Sequence, residues 1–438
     1  MKQVLKARSA RAAVLAAVTV LAVLVAPAVA RADTVTEWNL NASNALFAPP
    51  QDARVSTLHL AMVHGAIYDA VNAIDGGYQP YLGSPQANPW DSTDAAAATA
   101  AYRVLISIVP GQQPTLEPLY LASLAPIPDG PAKTGGIAAG EASAAAMIAA
   151  RTNDGRFGTP GFPVPAVPEP GDWRPVLPAF VNDPAAWLKD VTPFLIQSSS
   201  QFRSRGPYEL ASRKYAKEFN QVKELGSAGS ITRTADQTHA AQYWAENPPR
   251  TWSRIFRTIS AQQGLSLVDN ARLFAMLYLT AADTFISVWD DKAQWSFWRP
   301  ITAIREADTD GNPATEPDTA WLPLIPNPPY PEHPSGHLGL SGSVVKTMQQ
   351  FFRTDEIGWT DTNVGGLTRS FTTLSQAVDE IVLARVWSGI HFLNADQDSA
   401  RMARQIAKYR QKHYFQPLRG QHHADAEADE EAEVEAED

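Results

Sequence analysis

Apolar positions along this chain recur at helical spacing, and few stretches alternate with a period of two. Residues 57–74 put their apolar side chains on one helical face. Residues 94–109 and 131–151 are rich in alanine, which favours helix and lets helices approach closely. The same spacing predicts helices over 207–225, 232–244, 252–262, 266 to about 289, 336–352, 372–387 and 396–414. Packed together they make an all-α architecture of helical bundles. Two Pro- and Gly-rich stretches, 154–190 and 311–334, interrupt it as long loops. The first reads as a surface connection. The second runs straight into Ser335-Gly336-His337 and reads as the rim of a pocket.

The two ends differ from this body. Lys2, Lys6, Arg8 and Arg11 precede an almost unbroken apolar run over 12–26, and Ala30-Arg31-Ala32 follows. This pattern predicts a signal peptide over 1–32, cleaved after Ala32, and a secreted or periplasmic protein. No second apolar stretch reads as a membrane span, so no stable membrane anchor is expected. At the other end, nine Asp and Glu residues within 425–438 read as a solvated, disordered tail over 421–438. Between these ends, 33–205 reads as an N-terminal helical region with its Pro-rich connection. Residues 206–420 read as a C-terminal bundle. The chain has no cysteine, which excludes disulfides, thiolate metal sites and thiol nucleophiles. Its formal net charge of −10 argues against a nucleic-acid partner.

Candidate chemistry gathers in three segments of the last third. In the first, Lys292 and Arg299 stand seven residues apart, two turns of a helix, which puts both on one face; Pro300 closes the segment. In the second, Pro334-Ser335-Gly336-His337 sits where loop becomes helix. Ser335 is placed to cap that helix and leave the amides of Gly336 and His337 free for an anion. His337 is then within reach of the same anion as an acid or base. In the third, Arg385 and His391 stand about 120° apart on an ideal helix, and a helix ending near Gly389 would let the chain turn His391 back toward Arg385. Asp396 follows, either as the N-cap of the last helix or as an orienter of the His391 ring. Together these residues supply three cations, a hydroxyl, a Gly amide and two imidazoles, the inventory an oxyanion requires.

Other polar residues have plainer readings. Asp308-Thr309-Asp310-Gly311-Asn312 is a polar turn, because its Gly comes too early for a calcium loop and Thr319 stands where the closing Glu belongs. His59 and His64, on an apolar helix, read as core residues, and Asp69 as a structural acceptor.

The ordered set Lys-x6-Arg-Pro, Pro-Ser-Gly-His and Arg-x5-His resembles the signature shared by vanadium-dependent haloperoxidases and type 2 phosphatidic acid phosphatases. Trp289 and Phe297-Trp298-Arg299-Pro300 look like the haloperoxidase branch, as do Gly389-Ile390-His391-Phe392 and the helical segment 62–74, which is similar to bacterial members. Two positions depart from the family: Ala384 stands where Ser often precedes the last Arg, and Asp396 follows His391 at a spacing one residue too long.

The resemblance implies a helical-bundle fold of the haloperoxidase and acid phosphatase type. It implies vanadate as cofactor, held at vanadium by an imidazole nitrogen of His391 and at its oxygens by Lys292, Arg299, Ser335, the Gly336 amide and Arg385. Hydrogen peroxide, a halide and a small organic acceptor would be the partners, and His337 would move protons. Tyr330, four before Pro334, stands where the family's halide preference tends to be set, and it matches neither a chloride nor a bromide pattern. The runner-up is a soluble acid phosphatase that takes a phosphate ester through a phosphohistidine at His391, with no cofactor. The third reading is a protein that binds phosphate or vanadate without turnover.

Overall fold

The computed structural model describes residues 33–47 and 52–418; the expected signal at 1–32 and acidic tail at 421–438 lie outside the described residues. Thirteen α-helices are described. The first five are α1 (Thr34–Leu46), α2 (Ala53–Asp75), α3 (Thr93–Ile108), α4 (Gln113–Leu124) and α5 (Pro131–Ala150). After the long loop come α6 (Arg213–Leu225), α7 (Ala235–Tyr243), α8 (Pro248–Gln263), α9 (Leu267–Trp295) and α10 (Pro300–Arg305). The last three are α11 (Gly336–Phe352), α12 (Leu374–Trp387) and α13 (Leu393–His413). The fold is all-α, as its helical periodicity predicts.

Local chemistry sets the helix starts. Asp33, Ser92, Ser212 and Ser266 each accept a hydrogen bond from a first-turn amide, and Thr234 and Thr373 form capping boxes with Gln237 and Gln376. The Ser212 cap explains why α6 begins at Arg213 and not at 207. Helices α1, α4 and α10 escape the periodicity reading: α4 contains Pro118, and α10 is six residues long. A small hairpin was also missed, β1 (Trp359–Thr362) paired antiparallel with β2 (Thr368–Phe371) in the register Trp359↔Phe371. Its β1 strand alternates buried and exposed residues, but four residues are too few to stand out.

Helix α9 is the axis of the main core. It packs against α2, α11 and α13, and nearly every side chain from Asn270 to Lys292 is buried. Contrary to the sequence expectation, α9 is long and apolar enough to cross a membrane, yet 94% of its apolar window is buried inside the protein. That burial marks a core helix. Alanines 95–98, 100 and 101 of α3 are buried where α3 meets α2 and α5. A second, smaller apolar cluster joins Phe219 of α6, Trp298, Ile301 and Ile304 around α10, Trp321 and Phe392. The loop 311–334 lies beside it, and Asp310 binds the Asn312 amide and the Thr315 hydroxyl in the expected polar turn.

His64 illustrates the cost of the core. It is fully buried, stacked on Tyr278 at 4.9 Å with its Nε2 2.9 Å from Asn39 Nδ2. Burial, helped by Arg257, depresses its pKa to about 3, so the folded protein keeps it neutral while the unfolded chain protonates near 6.5. The unfolded state therefore binds more protons between those values, and His64 makes stability fall as pH drops below about 6.5. Urea melts at pH 4 and pH 7 are expected to show a smaller pH loss in His64→Gln than in the wild type. Equal losses would remove His64 from the acid response.

Candidate functional site

The three segments meet between the two apolar clusters, and the chain turns that deliver them are specific. Helix α9 stops at Trp295, because Ser296 adopts a left-handed backbone (φ 40°) and its amide closes on the Lys292 carbonyl at 2.9 Å. Trp173 and Trp298 then pair the chain with the 154–190 loop, through bonds to the Ser296 and Gly171 carbonyls. Arg299 is thus extended (φ −78°, ψ 155°) and caps α10. This corrects the expectation that Lys292 and Arg299 share one helical face: they converge because the chain doubles back between them.

Lys292 is fully buried, and its Nζ donates to three backbone carbonyls: Pro331 at 2.7 Å, Glu332 at 3.0 Å and Pro334 at 2.6 Å. An ammonium has three protons, so all are used. Burial, with Arg299 nearby, pushes its pKa well below the ordinary lysine value. Arg299 is equally buried. Its Nε donates to Tyr330 O at 2.9 Å and its Nη1 to Ile390 O at 2.8 Å, and Nη1 lies 3.4 Å from His391 Nε2. Desolvation brings its pKa down to about 10.

Ser335 is the N-cap of α11, as its position predicts, but its hydroxyl makes no capping bond and has no partner. The first-turn amides of α11 have no intrahelical acceptor. At Gly336 a Cβ would come within 3.1 and 3.3 Å of the Trp289 ring, so the missing side chain lets the indole close over the helix start. His337, one residue on, donates from Nε2 to the Trp244 carbonyl at 3.0 Å, and its Nδ1 is 3.2 Å from Ser341 Oγ. Burial and Arg385 hold its pKa well below the ordinary histidine value. Arg385 donates from Nη1 to the same Trp244 carbonyl at 3.1 Å, while its buried Nε is unpartnered.

Helix α12 ends at Trp387, and Gly389 makes the turn to His391 with φ 79°. The His391 Nδ1 is 2.9 Å from Glu332 Oε1, which also accepts the Phe392 amide at 2.9 Å. Glu332 was not singled out from the sequence; the only signal was an acid within an otherwise Pro-rich approach to Ser335. Burial raises its pKa to about 7. The orienting role expected of Asp396 belongs by geometry to Glu332, and the N-cap of α13 is Phe392. Asp396 is wholly buried within the same cluster, beside Ser335 and Arg385, and burial drives its pKa well up.

An aromatic pair flanks this cluster. Trp289 and Tyr330 lie 5.0 Å apart, with Lys292 and Arg299 each 5.0 Å from the Tyr330 ring centre. Arg54 of α2 covers both rings, at 4.9 and 5.2 Å, and bonds to Asp183, which also accepts the Trp289 Nε1 at 2.9 Å. Nothing in the sequence around Arg54 or Asp183 marks them for this place.

The donor set fits a tetrahedral oxyanion such as vanadate or phosphate. The Ser335 hydroxyl and the Arg385 Nε are buried donors with no hydrogen-bond partner, and the first-turn amides of α11 have no acceptor within the helix. His391 Nε2 lies in the same cluster, 3.4 Å from Arg299 Nη1.

Comparison with known proteins follows the same division. Residues 272–420 match the family model of the VCPO second helical-bundle domain, a span that holds all three segments. The vanadium chloroperoxidase of Curvularia inaequalis is 31% identical over 158 residues. That match covers 30% of this chain and only 25% of the relative. A bacterial vanadium-dependent iodoperoxidase structure aligns over 89% of this chain and 97% of its own, with a TM-score of 0.74 and 22% identity. A holo-type bacterial vanadium-dependent chloroperoxidase aligns over 89% and 94%, with a TM-score of 0.67 and 17% identity. The fold is therefore shared along most of the chain.

A Cβ at Gly389 would sit 2.4 Å from Gly226 O and 2.8 Å from Pro323 Cβ, on a backbone that L residues rarely adopt. Gly389→Ala is expected to cost at least about 2 kcal/mol in urea unfolding. A loss below about 0.5 kcal/mol would mean that the turn relaxes freely.

Proposed function

We propose, from the premise that residues 272–420 belong to the vanadium haloperoxidase family, that this chain is a vanadate-dependent haloperoxidase that uses hydrogen peroxide to oxidise a halide. The observation that carries this reading is one buried cluster in which Ser335 Oγ and Arg385 Nε have no hydrogen-bond acceptor, the charges of Arg299, Lys292 and Arg385 act on His391, and Arg299 Nη1 lies 3.4 Å from His391 Nε2. Vanadate, when bound, supplies a Lewis-acid centre that polarises peroxide at constant oxidation state. His391 Nε2 would hold the metal. Ser335, the Gly336 amide and Arg385 would donate to its oxygens, and Arg299 and Lys292 would add positive charge.

The chain's own groups divide the remaining work. Lys292 spends its hydrogen bonds on the 331–334 backbone, so its charge acts on an oxyanion through space. Trp289 and Tyr330 wall the site with aromatic surface and keep bulk water from the cations. His337 would be the proton carrier: its Nε2 proton and the Arg385 guanidinium share the Trp244 carbonyl. The same donors would serve a phosphate ester, with His391 Nε2 as nucleophile, so the phosphatase is the competing outcome of the assay.

The test uses purified protein with and without orthovanadate, given peroxide and bromide, peroxide and iodide, or p-nitrophenyl phosphate. Vanadate-dependent halogenation is expected. Phosphate release inhibited by vanadate, without halogenation, would replace this reading with the phosphatase. Tight anion binding with neither activity would leave a binding protein. In the active enzyme His337→Ala is expected to lower kcat by about 10²- to 10⁴-fold while vanadate still binds. Unchanged kcat would remove His337 from proton transfer.

A further inference from the structure

Two carboxylates compete for the task of orienting His391, and only one makes the contact. We propose that Glu332, from the loop before Pro-Ser-Gly-His, is the positioning residue that fixes His391 as its Nδ1–H tautomer and so turns the Nε2 lone pair toward the oxyanion centre, a task in which Asp396 has no part. The inference rests on the haloperoxidase reading for the identity of the oxyanion, and on hydrogen-bond chemistry for the rest.

The tautomer follows from two independent contacts. The Phe392 amide can only donate, and it donates to Glu332 Oε1 at 2.9 Å. That oxygen is therefore accepting, and with the carboxyl proton absent from Oε1, His391 Nδ1, 2.9 Å from it, is the donor. On the other side of the ring, Arg299 Nη1 lies 3.4 Å from Nε2. A guanidinium also can only donate, so Nε2 must be the bare nitrogen. Both ends of the ring give the same answer, and a bare Nε2 is what a metal or phosphorus ligand needs.

Glu332 can hold this geometry because it is itself held. Its side chain is 1% exposed, its backbone carbonyl accepts from Lys292 Nζ at 3.0 Å, and its own amide donates to the Phe297 carbonyl at 2.9 Å. Orientation thus passes from α9 through Lys292 to the loop, and from the loop to the imidazole. Asp396 is built differently. It lies in the first turn of α13 beside Ser335 and Arg385, while the two ring nitrogens of His391 meet Glu332 and Arg299.

The assignment predicts different outcomes for three variants. Glu332→Gln keeps a carbonyl oxygen at the Oε1 position, which can accept both the Nδ1–H and the Phe392 amide. It is expected to bind orthovanadate within about threefold of the wild type. Glu332→Ala removes the acceptor and is expected to weaken orthovanadate binding by about 10- to 100-fold. Asp396→Asn is expected to leave the Glu332–His391 bond intact and the affinity undiminished. Affinity is read by equilibrium dialysis, with circular dichroism and thermal melts to check folding.

The second readout needs no vanadate. Nitrogen-15 shifts of the imidazoles in the metal-free protein, with His391→Ala to assign the signal, report the tautomer directly. An Nδ1–H form is expected in the wild type and in Glu332→Gln, and its loss in Glu332→Ala. An Nε2–H form in the wild type overturns the proposal, even if Glu332→Ala fails to fold. Equal loss of affinity in Glu332→Gln and Glu332→Ala overturns it too, because charge and not orientation would then be at work. A wild type that shows the Nδ1–H form but binds no orthovanadate supports the positioning role and overturns the haloperoxidase reading alone.

Discussion

The site depends on an ammonium group buried in the protein core. Taking the Lys292 charge out of water costs several kcal/mol, and three good acceptors must offset that cost. The acceptors are consecutive or near-consecutive carbonyls of one loop, those of Pro331, Glu332 and Pro334. A single cation therefore dictates the path of a Pro-rich segment that has no helix or strand to shape it. Through that path it sets where Glu332 meets His391, where Ser335 begins α11, and where Tyr330 meets Trp289. The rigid partner is α9, whose residues around the lysine are nearly all buried.

Much of this was readable in advance, and the limit was the range of the interactions. Helical period, Ser and Thr caps and alanine-rich packing faces are local, so the helices followed from short windows of sequence. The start of α11 at Gly336 was legible because loop composition ends there. The spacing of Lys292 and Arg299 misled, because a left-handed Ser296 breaks the helix and nothing in residue type demands it. Glu332, Arg54 and Asp183 were invisible for another reason. Each owes its place to partners 59 or more residues away, and one isolated acid or arginine carries no periodicity. Family likeness pointed to Asp396 for the orienting carboxylate, but the extra residue in the spacing moves it off the imidazole. The geometry supplies that hydrogen bond from Glu332.

The three cations read from the sequence as one cage separate into three physical tasks. Lys292 has no free donor, Arg299 bridges two backbone segments and approaches Nε2, and Arg385 alone keeps an unpartnered buried Nε. In the proposed function, direct hydrogen bonding to the oxyanion would thus fall on Ser335, Arg385 and the start of α11. The other two cations contribute field. That division matters in a dry site, where a charge at 5 Å is screened far less than in water, and where moving Lys292 to meet a ligand would release the loop it shapes.

The titration of the buried groups follows the same logic. Burial lowers the pKa of Lys292, Arg299 and Arg385 and raises that of Glu332 and Asp396, so without a ligand every group is driven toward its neutral form. A multiply charged oxyanion reverses half of that pressure: it favours the charged cations and the neutral acids at once. Its binding energy therefore includes relief of a strain already present in the fold, and by reciprocity the fold must be more stable with the anion than without it. The stabilisation reaches beyond the site. The loop that Lys292 holds runs from Trp321 of the smaller apolar cluster to Tyr330 beside the larger one, so the three carbonyl bonds of the lysine lie next to both.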